Sequence, residues 1–297
     1  MTAARLRIGV VGTGHWAEIV HVAGAAAHPG VELVAVWGRD LGRATTLADR
    51  YAARGFDDFD AFLAEVDLVT VAVPPHVQAD LALSAAEAGK HLLLEKPVAL
   101  DPDAADRLVG VVEDRGLSTV VFFTQRFVPS WEDWLQQVVA TSPEGGRADW
   151  LTSREPDSPY LGSVWRDQHG GLWDVGPHTL SQLLPALGAV VDVTGTRGQR
   201  DLVHLVLTHE GGRTSRMSLS LTMPGGIDQV EVEFYGDRGV LEQPTEERDV
   251  ADAYARALDE LVAMVGAGET HHRCDVRFGR DVVHVLARCQ AVLDAKP

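Results

Sequence analysis

Near the amino terminus an apolar run, "LRIGVV" at 6–11, meets a glycine turn, "GTGHWA" at 12–17, and the turn opens into a segment of helical period. No other feature of the chain limits its fold as tightly. Gly12, Gly14 and Ala17 fill the three small-residue places of the G-x-G-x-x-G/A fingerprint. The first permits a tight turn, the second lets a pyrophosphate approach the backbone, and the third keeps helix and strand close. A helix N-terminus beyond such a turn offers oriented N–H donors and a partial positive charge to phosphate.

Glycines close many turns, so the context has to carry the assignment. Here strand and helix patterns alternate up to Phe123. "VELVAVW" (31–37) reads as a strand, and Asp40 as the N-cap of a helix from Leu41 to about Arg54. "DLVTVAV" (67–73) is a buried strand stopped by Pro74 and Pro75. A helix over Val77 to Ala88 ends at Gly89, and "HLLL" (91–94) follows. Asp101 caps a helix with Pro102 at its first position, and "STVVFF" (118–123) closes the run. Alternation of this kind predicts an α/β fold with a parallel sheet covered on both faces, a Rossmann domain over 1–123.

Ligands of such sheets lie at the carboxyl ends of the strands. The cofactor is therefore expected against Gly12, Thr13, Gly14, His15 and Trp16, against Val73, Pro74 and His76, and against Glu95 and Lys96. Glu95 either hydrogen-bonds the ribose or pairs with Lys96. NAD-specific domains place an acidic residue after the second strand, to bind the ribose 2′-hydroxyl. Gly38 stands there instead, with Arg39 next. Glycine leaves room for a 2′-phosphate and a guanidinium can bind one, so NADP is expected in preference to NAD. Arg39 stacked on adenine would accept either cofactor, and Asp40 could instead reach the ribose.

After Phe123 the period changes. An amphipathic helix follows "TQRF", and two hairpins are expected, one about Gly211 and Gly212, the other between Gly236 and Gly239. Two helices, about Val250 to Val265 and Val276 to Leu293, close the chain, with "TEERD" (245–249) as a solvated helix start. This second half, 124–297, reads as a substrate-binding and oligomerisation domain with an open, largely antiparallel sheet. Its dense motif is "GGLWDVGPHTL" (170–180). Asp174 and His178 are four apart, which on one helix puts them on one face, although Pro177 must either start that helix or kink it. Oxidation of an alcohol needs a base for the hydroxyl proton. Histidine titrates nearest neutrality, a carboxylate can orient it, and a lysine can hold the reacting oxygen.

"GVVGTGHWA", "VAVPPHVQADLALSAAEAGKHLLLEKPVAL" and "GGLWDVGPHTL" stand in the order and spacing of the family of glucose–fructose oxidoreductase, inositol dehydrogenase and MocA-type proteins, which this chain resembles over nearly its whole length. The resemblance implies a nicotinamide-dependent oxidoreductase acting on CH–OH groups of a sugar, cyclitol or related polyhydroxy compound. It places the catalytic lysine at Lys96 and the catalytic Asp and His at Asp174 and His178. It puts Gln125 beside the nicotinamide, and Arg126, Trp165 and Arg166 with Lys96, Asp174 and His178 around the substrate. It also implies a homodimer or homotetramer through the second sheet. Two positions depart from the family's pattern: Gln78 replaces a common His, and Ser181 a common Asp. A glycosidase using bound cofactor transiently, or a non-catalytic sensor, are the other readings. A sensor is expected to lose the trio that this chain keeps.

A net charge of −17 argues against nucleic acid and anionic membranes as partners, and no run approaches the ~20 apolar residues of a membrane span. Cys274 and Cys289 give neither a disulfide framework nor zinc spacing, which fits a cytoplasmic protein. His271, His272 and Cys274 lack a second ligand cluster, so no metal is expected and "HHRC" reads as a polar loop. Trp131 and Trp134, at helical spacing, read as core or interface.

Overall fold

The computed structural model describes residues 5–153, 163–246 and 249–295. Two compact units emerge: Met1–Phe127 with Arg248–Arg280, and Val128–Glu247 with Asp281–Pro297.

The first unit is built on a six-stranded sheet. Its elements are β1 (Leu6–Val11), α1 (Ala23–Ala27), β2 (Val31–Trp37), α2 (Leu41–Asp49), β3 (Arg54–Phe56), α3 (Phe59–Ala64), β4 (Leu68–Val71), α4 (Pro75–Glu87), β5 (His91–Leu94), α5 (Pro102–Arg115) and β6 (Thr119–Val121). The strand order is β3-β2-β1-β4-β5-β6, and every pairing is parallel. β4 and β6 are buried throughout, as strands covered on both faces should be. The caps follow the sequence: the Asp40 and Asp101 carboxylates accept the backbone N–H of Arg43 (3.0 Å) and Ala104 (3.2 Å).

Two features depart from the expectation. α2 stops at Asp49, and "RGF" forms the short edge strand β3, followed by α3. Gly55 is required there, because a Cβ would sit 2.5 Å from the Thr45 backbone. A glycine inside a three-residue strand leaves almost no periodic signal. The second departure concerns the division of the chain. A single cut near Thr124 assigns α9 (Val250–Ala267) to the second half, yet α9 belongs to the first unit and packs on β5 and β6. Tyr254, Ala257, Leu258 and Leu261 are fully buried, and the Tyr254 ring meets Phe122 edge-on. Returning chain of this kind is a long-range event that local patterning does not encode. Asp249 caps α9 through the N–H groups of Ala251 and Asp252; its neighbours Glu247 and Arg248 lie outside the described residues.

The second unit comprises α6 (Pro129–Thr141), β7 (Gly145–Thr152), α7 (Val164–Asp174), α8 (Gly176–Leu187), β8 (Val190–Arg197), β9 (Val203–His209), β10 (Thr214–Ser220), β11 (Asp228–Gly236) and β12 (Gly239–Glu242). The boundary between Arg280 and Asp281 falls inside the last helix, α10 (Val276–Asp294). The second sheet runs β12-β11-β7-β10-β9-β8, antiparallel except for the β7–β10 pair. Both expected hairpins form. Leu205, Leu207, Met217, Leu219, Val232 and Phe234 are buried, and α7 and α8 pack on this sheet. Alternate positions carry an ionic ladder, in which Arg147 reaches Glu231 and Glu233 (both 3.1 Å) and Arg216 reaches Asp149 (3.3 Å). Trp131 and Trp134 meet edge-on, and Trp134 also meets Phe234. Among the described residues no helix is long and apolar enough to cross a membrane.

Candidate active site

Because the first sheet is all parallel, the carboxyl ends of its strands share one edge. Winding reverses between β1 and β4, the place where such sheets open a crevice. Gly12 to Trp16 follow β1, Gly38 and Arg39 follow β2, Val73 to His76 follow β4, Glu95 and Lys96 follow β5, and Gln125 and Arg126 follow β6. The fold thus brings all the residues expected around the cofactor to that one edge.

The glycine turn fits a dinucleotide. Gly12 has φ +133°, and a Cβ there would lie 2.5 Å from the Ala72 carbonyl oxygen, so no other residue is accommodated. The first helical bond runs from Glu18 N–H to the Gly14 carbonyl (3.0 Å), leaving the preceding N–H groups without intrahelical acceptors. Gly14 is exposed, and a Cβ on it would enter open space. Gln125 adds a buried Oε1 with no hydrogen-bond partner among the described residues, an acceptor suited to a carboxamide N–H. Gly38 has a reason beyond room for phosphate: a Cβ would strike Thr13 Cγ2 at 2.6 Å. Arg39 is exposed, Asp40 is occupied as the α2 cap, and Arg43 donates to the Thr13 carbonyl at 3.1 Å.

The bend after β5 is gripped from two sides. Gln78, fully buried, accepts the Glu95 N–H (3.0 Å) and donates to the carbonyls of Glu95 (2.6 Å) and Pro97 (3.0 Å). An amide side chain has both the donor and the acceptor this task needs. The Glu95 carboxylate accepts Trp16 Nε1–H at 2.7 Å and lies 3.0 Å from His21 Nε2, while its other oxygen lies 3.3 Å from the Lys96 N–H. Burial pushes the Glu95 carboxyl upward, but the hydrogen bond from His21, the charge of Lys96 and the hydrogen bond from Trp16 outweigh it and hold the group below its ordinary range.

"HHRC" supports the turn that carries Gln125 and Arg126. Arg273 donates to the Arg126 carbonyl (2.9 Å), and the His272 ring stacks on Phe127. Glu260 on α9 holds His272 (2.6 Å) and Arg273 (2.5 Å). Burial opposes ionisation of Glu260, yet these two partners bring its carboxyl down to about 2. Cys274 is fully buried. Among the described residues no group of three or more His, Cys, Asp and Glu is placed to hold a metal.

In the second unit Pro177 starts a helix. α7 ends at Asp174, Val175 bridges, and α8 begins with Gly176, so Asp174 and His178 sit on two successive helices instead of one. Asp174, nearly buried, accepts Arg166 Nε–H at 2.8 Å, and the Arg166 guanidinium lies over the Trp165 ring. The His178 ring stacks on Trp150 of β7, with centroids 5.2 Å apart. Ser181 donates to the His178 carbonyl at 2.7 Å, securing the first turn of α8. Gly170 breaks α7 with φ +58°, and Asp201 lies behind the break. The Asp201 carboxylate accepts N–H groups of Gly171, Leu221 and Thr222 and the Ser220 hydroxyl. Those bonds overcome the burial that would raise it and hold it below the usual carboxylate range.

Sequence reasoning did not single out Trp150, Asp201, His21 or the clamp made by Gln78. Trp150 and Asp201 reach the site from other strands and loops, and no motif marks them. His21 lies inside the first helix and reads locally as one more helical position.

Comparison with known proteins places these features in a lineage. A family described as "Oxidoreductase family, NAD-binding Rossmann fold" matches residues 6–123, and the "GFO/IDH/MocA C-terminal domain" matches residues 142–242. The UDP-N-acetylglucosamine 3-dehydrogenase of Acidithiobacillus ferrooxidans is 33% identical over 239 residues, covering 78% of this chain and 72% of that protein. Among solved structures, GenD2 from gentamicin A biosynthesis, in complex with NAD, superposes with a TM-score of 0.85 at 22% identity, covering 100% of this chain and 96% of that one. KijD10, a 3-ketoreductase of Actinomadura kijaniata in complex with NADP and TDP-benzene, gives 0.80 at 20% identity, with 98% of both chains covered. At such identities the two structures establish likeness of fold.

Proposed function

The chain belongs to the GFO/IDH/MocA oxidoreductase family, and from that premise we propose that it moves hydride between a nicotinamide dinucleotide, NADP in preference to NAD, and a carbon–oxygen centre of a sugar, cyclitol or related polyhydroxy compound. The observation that carries this reading is the convergence of the glycine cradle, the buried Gln125 acceptor and Lys96 on one edge of one parallel sheet. The name of the A. ferrooxidans relative adds nucleotide-bearing sugars to the candidate substrates.

The bound cofactor supplies the acceptor or donor of hydride. The chain does the rest. Lys96 holds the reacting oxygen by hydrogen bond and charge. His178 takes the hydroxyl proton in the oxidative direction and returns it in the reductive one. Asp174 steadies the protonated imidazole and keeps Arg166 oriented for a substrate hydroxyl. Glu95 accepts Trp16 Nε1–H and the Lys96 N–H and lies 3.0 Å from His21 Nε2, so it braces the glycine turn and the bend that carries Lys96.

The NADP preference rests on Arg39 and the absent acidic side chain at Gly38. Arg39→Ala is expected to weaken NADP(H) binding by about 1.5–3 kcal/mol and to leave NAD(H) nearly unchanged. Calorimetric titration of both cofactors checks this; tighter NAD(H) binding by the wild type, or equal losses, would overturn the preference.

A homodimer or homotetramer through the second sheet belongs to the same proposal. Its ladder face carries paired charges, with the exposed Val206 at an alternate position of β9. Light scattering at micromolar concentration is expected to return at least twice the 32.0 kDa chain mass; a monomeric mass would exclude it.

A further inference from the structure

His21 lies in a stretch, Ala17–Val22, where the first helix widens into π-helical form. Such widening is uncommon and recurs at functional sites. Here it accompanies a buried polar chain. Tyr254 O–H donates to Thr70 Oγ1 at 3.1 Å, and Thr70 Oγ1 lies 2.7 Å from His21 Nδ1. His21 Nε2 lies 3.0 Å from Glu95 Oε1, which also accepts Trp16 Nε1–H at 2.7 Å. His21, Thr70 and Tyr254 are fully buried. One placement of protons satisfies every partner: Tyr254 donates to Thr70, Thr70 donates to His21 Nδ1, and His21 Nε2–H donates to Glu95. Every donor then points towards the carboxylate, an arrangement in which each bond polarises the next. Burial raises the Tyr254 phenol well above its ordinary value, so it stays protonated and remains a donor.

The two ends of this chain differ. One end is α9, where the Tyr254 ring lies against Gly24 so closely that a Cβ there would approach it to 2.4 Å. The other end is the edge of the sheet where Trp16 belongs to the glycine turn and Lys96 begins the bend after β5. We propose that Glu95, His21, Thr70 and Tyr254 act as one positioning chain that fixes Trp16 and Lys96 from behind, so that α9 sets the geometry of the cofactor edge. The proposal deepens the oxidoreductase reading and rests on it for the roles of those two residues. None of the four touches the reacting atoms; each acts through Trp16 or Lys96.

The test uses the full chain without added cofactor, and then with it. Three lysines occur in the sequence, Lys90, Lys96 and Lys296, so the signal of reductively ¹³C-methylated Lys96 is assignable by its loss in Lys96→Ala. The Trp16 indole N–H is assignable in the same way with Trp16→Phe. Tyr254→Phe removes one buried hydroxyl at the far end and preserves the ring. It is expected to move both signals in the cofactor-free protein, to weaken NADP(H) binding or turnover roughly 3-fold, and to add nothing in a Glu95→Gln background. Glu95→Gln alone is expected to cost roughly 10-fold or more, since it removes the charged acceptor. A purely structural role predicts a lower melting temperature in Tyr254→Phe with both signals, cofactor affinity and turnover per folded molecule unmoved; that result overturns the proposal. If Glu95→Gln does not fold, Tyr254→Phe decides alone. If the wild type binds neither NADP(H) nor NAD(H), the oxidoreductase reading fails, while the two signals still report whether α9 is coupled to Trp16 and Lys96.

Discussion

His178→Ala is expected to lower turnover about 10²- to 10⁴-fold while cofactor affinity stays within about 2-fold of wild type, the range typical of a lost general acid–base group. The His178 N–H completes the turn to the Val175 carbonyl (3.1 Å) and Ser181 holds its own carbonyl, so the first turn of α8 does not depend on the imidazole. Removing the ring costs the stack on Trp150 and the proton carrier. All the residues assigned to the cofactor lie in the other unit, so its binding is spared. Steady-state kinetics beside calorimetric titration separates the two effects. Near-wild-type turnover on the true substrate would remove His178 from the chemistry.

Lys96→Ala is expected to cost as much in turnover, and in addition to weaken cofactor binding several-fold. The backbone of this bend is secured independently of the lysine side chain. Gln78 makes three hydrogen bonds to it, and Glu95 is held by Trp16 and His21. The variant is therefore expected to fold with the bend's backbone in place, and its loss of turnover belongs to the missing ammonium group. Full activity would return the charged pair of "EKP" to the status of a solvated strand end.

How far the sequence reveals this molecule follows from the range of each interaction. The glycine turn, the caps at Asp40 and Asp101 and both hairpins are set by neighbours a few residues apart, the parallel sheet is announced by the alternation of strand and helix patterns, and all were legible. β7 was not. Its Gly145 and Gly146 carry no strand pattern, and they are glycines because Cβ atoms there would strike Tyr235 and Phe234 at 2.5 and 2.8 Å. α9 was read as a helix, but its place with the first sheet depends on Tyr254 meeting Thr70, 184 residues away in sequence. The site divides in the same way. Lys96, Asp174 and His178 stand in motifs and can be named from the chain alone. Their supports arrive from elsewhere: Trp150 beneath His178, Asp201 behind Gly170, and His21 beside Glu95. Even the departures from the family pattern have local work to do, Gln78 as the clamp on the bend and Ser181 as the tie to His178.

The central claim is that this chain transfers hydride to or from a nicotinamide cofactor. The most direct measurement incubates the purified protein with free sugars, sugar nucleotides and cyclitols, each with NADP⁺ and with NAD⁺, and follows absorbance of the reduced nicotinamide. Wild type is expected to give substrate-dependent growth of that band, faster with NADP⁺, and both His178→Ala and Lys96→Ala to abolish it on the same timescale. No growth across the panel, or growth that persists undiminished in both variants, would contradict the account.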